Sequence, residues 1–295
     1  MVLFKRGALQ TEQIFKELAT ADVLLVGSPV LVEKCCQAGL QPHLVYHYFD
    51  ETVLEKLSLL DLPFCDFTFA GSSGYGYGVL HEPRYRLLLE LLEKTPLEVW
   101  IDEGGQQKFH SPYQWTRKES RKLIKRILQS IPHPVLDRLA AWPSPIQKTM
   151  AKVAKEKRHG CDAIPLTDQY PGKCHPGVFG LDMYKLLARS KLTLNKHSAP
   201  AAGTVDNIRL FQATGVSACL LMDFGSNIQQ LFDADSEVIT YHSTGECIEK
   251  VEYLLSHDRV KQSIVQTGQR RMLKEHSTHQ RCRQIDVILQ NTLNR

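Results

Sequence analysis

Residues 191–232, KLTLNKHSAPAAGTVDNIRLFQATGVSACLLMDFGSNIQQLF, decide the fold. The apolar run Leu192–His197 predicts a buried strand that delivers Asn195 and His197 to its carboxyl end. A loop of small residues follows, Asp206 or Asn207 caps a helix, Gly215 ends it, and a second strand, Ala218–Asp223, closes on an acid. Strand, helix and strand in this order form the parallel unit of an α/β sheet. In an open sheet of that kind ligands bind beyond the carboxyl ends of strands and at helix N-termini, so the polar groups of this stretch are expected to converge there. Arg209, in the first turn of the helix, has the chemistry to neutralise a diphosphate. Taken singly, a histidine such as His197 is more often a satisfied half-buried side chain, and an arginine such as Arg209 a surface ion-pair former. The cluster is the signal.

The same alternation extends outward in both directions. Further strands are predicted at Asp22–Gly27, His43–Phe49, Asp66–Gly71, Leu97–Asp102 and Val238–Tyr241, with apolar helical stripes between them. The last third ends in packed helices, marked by Ile248, Val251, Leu254 and Leu255 and then by Cys282, Ile285, Ile288, Leu289 and Leu293. A break near Leu60–Pro63 divides the chain into residues 1–62 and 63–295. The first part offers two strands and three short helices, too little for a doubly wound sheet, and reads as the tail of an incomplete Rossmann-like half. The second part opens on DFTFAGSSGYGYGVLHEPRYRLLLELL, a strand with a Gly/Ser-rich turn leading into a helix at Pro83. Such a turn lets backbone N–H groups approach a phosphate. It matches neither the P-loop lysine pattern nor the dinucleotide glycine pattern, and a plain tight connection explains it equally well.

The 295 residues are 43% hydrophobic and 23% charged, with a formal charge of +4, which excludes a disordered chain and a small disulfide scaffold. No run of eighteen apolar residues occurs, and the N-terminus turns polar too early for a secretory signal, so a cytoplasmic chain is expected. Eight irregularly spaced cysteines without a CxxC read as structural thiols. Charge is unevenly spread: residues 116–158 carry +9 and the remainder −5. This stretch lies in a Pro-rich interruption at about 105–178, in which Arg121, Lys122, Lys125 and Arg126 oppose Leu123, Ile124, Ile127, Leu128 and Ile131. A solvated helix packed on the domain is one reading. Peripheral docking on the anionic inner face of a membrane is another. No stacking-aromatic pattern supports nucleic acid as a partner.

The segments GLDMYKLLARSKLTLNKH, DNIRLFQATG, CLLMD, GECIEKVEYLL and GQRRMLKEHSTHQR, between residues 179 and 283, together with the turn at 66–84, carry a more specific signal. They resemble the C-terminal domain of glycosyltransferases related to the spore-maturation protein CgeB, within the group-1 class. The resemblance implies a GT-B architecture, in which two Rossmann-like domains face each other across a cleft. It implies a nucleotide-sugar donor, an unidentified acceptor, and no metal or other cofactor, because protein cations stabilise the departing diphosphate. The motif His159, Cys161, Cys174, His175 has no zinc-site spacing, in keeping with that expectation.

Position by position, the resemblance places the donor along Asn195, His197, Asn207, Leu210, Phe211, Gln212, Thr214 and Gly215. Gly71 and Ser72 come by the phosphates, His81 on the first helix, and Arg209 and Arg84 against the leaving diphosphate. Two positions depart from the family pattern. Gln212 replaces a glutamate that accepts from the ribose hydroxyls, and Thr204, eight residues earlier, is not acidic. A binding or scaffold protein of the same fold that does not transfer sugar is therefore the rival expectation. Glu82 and Asp223 are the conceivable general bases, and no spacing argument selects either.

Overall fold

The computed structural model describes residues 12–57, 65–75, 81–101, 164–197, 203–205 and 207–293, with the isolated positions 131, 135, 138 and 139. Residues 120–130 and 146–158 of the basic block and the Leu60–Pro63 break lie outside these residues.

A six-stranded parallel sheet dominates. Its strands are β3 (Cys65–Gly71), β4 (Leu97–Ile101), β5 (Cys174–Pro176), β6 (Ser190–Asn195), β7 (Cys219–Asp223) and β8 (Ile239–Tyr241), and their spatial order is β5-β4-β3-β6-β7-β8. The chain starts in the middle at β3, winds out to β5, returns beside β3 as β6, and winds out the other way to β8. This is the doubly wound order, and its switch point lies between β3 and β6. Phe67 stands opposite both Leu97 and Leu192, which fixes the register at the centre.

Helices cover both faces, so the strands are almost continuously apolar. On β7, Leu221 enters one core while Leu220 and Met222 enter the other, as a period of two requires. The first core takes Leu87, Leu88, Leu91 and Leu92 of α4 (Glu82–Lys94) and Val251 and Leu254 of α8 (Thr244–Ser256). The second takes Leu187 of α6 (Gly180–Ala188), Leu210 and Phe211 of α7 (Ile208–Gly215) and Met272 of α9 (Asp258–Glu275). A short helix α5 (Leu166–Gln169) buries Leu166 ahead of β5.

The N-terminal part is a parallel pair, β1 (Leu24–Val26) and β2 (Pro42–Leu44), with α1 (Glu12–Leu18), α2 (Pro29–Gln37) and α3 (Val53–Lys56). It has its own small core of Leu18, Leu24, Val26 and Cys35. The strand expected over His43–Phe49 pairs only as far as Leu44, because the residues beyond it serve the large unit instead. Tyr46 bonds to Gln230 and Asn227, and Phe49 is fully buried in the second core against Tyr184. The final helix α10 (Thr278–Leu293) is anchored on the same segment. Its Thr278 N–H donates to Phe49 O and to Glu51 Oε2, Arg281 donates to His47 O, and Gln284 donates to Leu44 O.

A second difference from expectation is β5, which falls in the stretch read as an interruption. Three residues ending in Pro176 give no periodic signal, and an edge strand tolerates that proline because no further strand needs its N–H. Among the described residues no helix is long and apolar enough to cross a membrane.

Candidate functional site

Beyond β3 the chain turns back on itself through Gly74, at φ +86°, where a Cβ would stand 2.6 Å from His81 O. Only glycine satisfies both demands. Ser72 Oγ accepts from Gly74 N–H and Ser73 Oγ from Tyr75 N–H, so both hydroxyls close the turn. The turn sets the first residues of α4 over the switch point, where Arg84 links the two central strands. Its guanidinium donates to Ser72 O (3.3 Å) and to Lys196 O (2.8 Å). His81, just before α4, is pushed down in pKa by burial and by the charge of Arg84, so it is neutral at pH 7.

Arg84 borders a cavity of about 350 Å³ together with Lys196, His197, Asp223 and Thr204. Phe224 and His242 form part of its wall and stack on each other at 4.7 Å between ring centroids. Asp223 organises the floor. Its Oδ1 accepts from the backbone N–H of His197 (2.8 Å) and faces His197 Nδ1 (2.9 Å), and its Oδ2 accepts from Lys196 Nζ (2.8 Å). Burial pushes this carboxyl up, but His197 and Lys196 outweigh burial and hold it below its ordinary value. An ionised carboxylate only accepts, so the bonded Nδ1 carries the hydrogen. The imidazole is 6% exposed, and its Nε2 is buried without a hydrogen-bond partner among the described residues.

Arg209 reaches the carboxyl end of β3 from α7 and does not border this cavity. It donates to Gln212 Oε1 (2.8 Å) and to Ala70 O (3.0 Å), and Gln212 in turn donates to Tyr184 Oη (3.3 Å). Burial lowers the guanidinium to about 10, which leaves it a cation at neutral pH. Gly71 stands in sequence between Ala70 and Ser72, whose carbonyls accept from Arg209 and Arg84, and lies close over the Phe69 ring. Asn195 and Asn207 exchange amide hydrogen bonds at 3.1 and 2.8 Å, and Asn207 Oδ1 also caps α7 through Leu210 N–H.

The rest of the α7 block departs from expectation. Leu210 and Phe211 are fully buried, Thr214 donates to Leu210 O, and a methyl at Gly215 would overlap the Phe49 ring. A helix advances about 100° per residue, so one face holds the core while only the other can meet a ligand. These four residues belong to the core. Lys196, Phe224 and His242 were not anticipated. The register supplied a clue for Lys196, since Asn195 pairs with Met222 and the next residues, Lys196 and Asp223, therefore end neighbouring strands abreast.

Of His159, Cys161, Cys174 and His175, the first two lie outside the described residues. His175 faces Glu98 at 2.6 Å and stacks on Trp100. Among the described residues no group of three His, Cys, Asp or Glu could hold a metal ion.

A family model described as Glycosyl transferase-like matches residues 147–286. No curated protein matches the chain. Structures of HepE from Anabaena with UDP and with UDP-glucose are similar at 11% and 12% identity and TM-scores of 0.55 and 0.56, covering 98% of this chain and 68% of theirs. Sucrose-phosphate synthase from Thermosynechococcus elongatus is similar at 9% identity and a TM-score of 0.57, over 99% of this chain and 64% of its own. The chain thus spans about two thirds of the length of these structures. Their likeness in fold, the doubly wound order and the family match together give the chain an α/β architecture of the GT-B glycosyltransferase type.

Proposed function

We propose that the chain transfers a sugar from a nucleotide-sugar donor, with the donor's diphosphate held at the β3–β6 switch point. The observation that carries this reading is the charge balance of the cavity. Among the described residues, Arg84 and Lys196 border it with a single carboxylate, Asp223, to which Lys196 is paired. Arg84 brings a guanidinium to the place where an anion would sit, and Arg209, outside the cavity, adds a second cation at the carboxyl end of β3. Fixed cations around a departing diphosphate do the work that a divalent ion does elsewhere, so the reaction on this reading is metal-independent. UDP and UDP-glucose in the HepE structures make uridine nucleotides the first donors to try. The DNIRLFxATG and GQxRxLxEHxxxxR segments favour the CgeB-type branch. On this reading the chain works in the cytoplasm, and the basic stretch at 116–158 sets it against an anionic membrane surface near its acceptor.

Gln212 favours a second reading, binding without transfer. Its amide is engaged by Arg209 and Tyr184 where the resembled family has a glutamate. Incubation with UDP-glucose, UDP-N-acetylglucosamine and GDP-mannose separates the two. Transfer predicts slow release of free sugar and nucleoside diphosphate above the protein-free background, lost in Arg84→Ala. Binding alone predicts a raised thermal midpoint with no release. If UDP, GDP, ADP and TDP all fail to raise the midpoint, both readings fall, since saturation at a hundredfold over Kd should add about 2.7 kcal/mol.

A further inference from the structure

On the wall of that cavity His197 Nε2, on a side chain 6% exposed, is buried without a hydrogen-bond partner among the described residues. An unpaired buried polar atom is costly, and native proteins keep one where a ligand, water or ion completes it. Which partner it needs follows from the other side of the ring. Asp223 is an acceptor and takes the Nδ1 hydrogen, so of the two uncharged tautomers the geometry selects the one with its lone pair at Nε2. That lone pair calls for a hydrogen donor, which a phosphate does not supply and a hydroxyl does. Among the described residues, the charged groups that line the cavity with His197 are Lys196, Arg84 and Asp223.

Resting on the donor reading above, we infer that His197 recognises the sugar of the donor: Nε2 accepts a hydrogen bond from a sugar hydroxyl while Arg84 holds the adjoining diphosphate. Asp223 and Lys196 are positioning residues in this arrangement. Asp223 fixes the tautomer, and Lys196 keeps Asp223 ionised.

The test compares UDP with UDP-glucose on the full chain, wild type and His197→Asn. The asparagine amide can still donate toward Asp223 but has nothing at the Nε2 position. UDP affinity should stay within about twofold, while UDP-glucose should weaken about tenfold, the worth of one well-placed hydrogen bond. In parallel, 15N spectra of histidine-labelled wild type read the ring directly and do not depend on the variant folding. The Nε2 resonance should carry a lone-pair signature in the free protein, keep it with UDP, and shift as a hydrogen-bond acceptor only with UDP-glucose. Conversion to imidazolium on adding UDP would assign Nε2 to the phosphate and overturn the inference. Equal losses for both ligands, or no loss and no shift for either, would also overturn it while leaving the donor reading intact. Wild type that binds none of UDP, UDP-glucose, GDP, ADP and TDP would overturn both.

Discussion

Replacing Asp223 by alanine is expected to cost about 3–5 kcal/mol of stability by denaturant unfolding, the range for removing one partner of a buried charge network. Three hydrogen-bonding groups converge on this carboxylate: Lys196 Nζ, the His197 backbone N–H and His197 Nδ1. Alanine leaves all three at the foot of a cavity, with Lys196 only 23% exposed. Asp223→Asn keeps the shape but not the charge and should fall between. The sign of the pH dependence follows from the lowered carboxyl. Because the folded value lies below the unfolded one, the stabilisation is complete above the unfolded value of about 4 and fades as pH falls through the folded value. The gap between wild type and Asp223→Asn should therefore be widest near pH 7 and shrink below about pH 4. A gap that widens in acid would contradict the network as described.

Phe49→Ala should cost a similar amount, about 3–5 kcal/mol, because it empties a fully buried aromatic site. The effect reaches beyond the cavity it leaves. Phe49 contacts Tyr184 on α6 and Gly215 at the end of α7, and its backbone anchors the start of α10. Gly215→Ala alone should destabilise by about 1–3 kcal/mol, since the added methyl meets the Phe49 ring. In the Phe49→Ala background the same methyl enters vacated space and should be close to neutral. Strict additivity of the two substitutions would show that Phe49 does not pack over Gly215.

How much of this was legible in the sequence differs by element. β6, α7 and β7 could be read from residues 191–232 because their signals are local: a buried apolar run, an Asn cap, a closing glycine. The end of the predicted His43–Phe49 strand was not legible, because Tyr46 and Phe49 answer to residues some 180 to 230 positions away. β5 escaped for the opposite reason, being three residues long with no period to detect. The site divides in the same way. Arg84 and His197 border the cavity as their positions at strand and helix ends suggested, and the identity of the residues told of the charge. Leu210, Phe211, Thr214 and Gly215 were carried along with a motif whose spacing mixes core and surface, and only the helix phase separates them. Lys196 was hidden because its importance depends on the neighbouring strand's register.

A crystal structure of the wild-type chain with UDP, or with whichever of GDP, ADP and TDP raises its thermal midpoint, tests the central claim most directly. The account predicts both phosphates in the cavity, within hydrogen-bond distance of Arg84, and loss of the nucleotide from Arg84→Ala soaked under the same conditions. Nucleotide bound elsewhere on the chain, with the Arg84 cavity vacant, would contradict it.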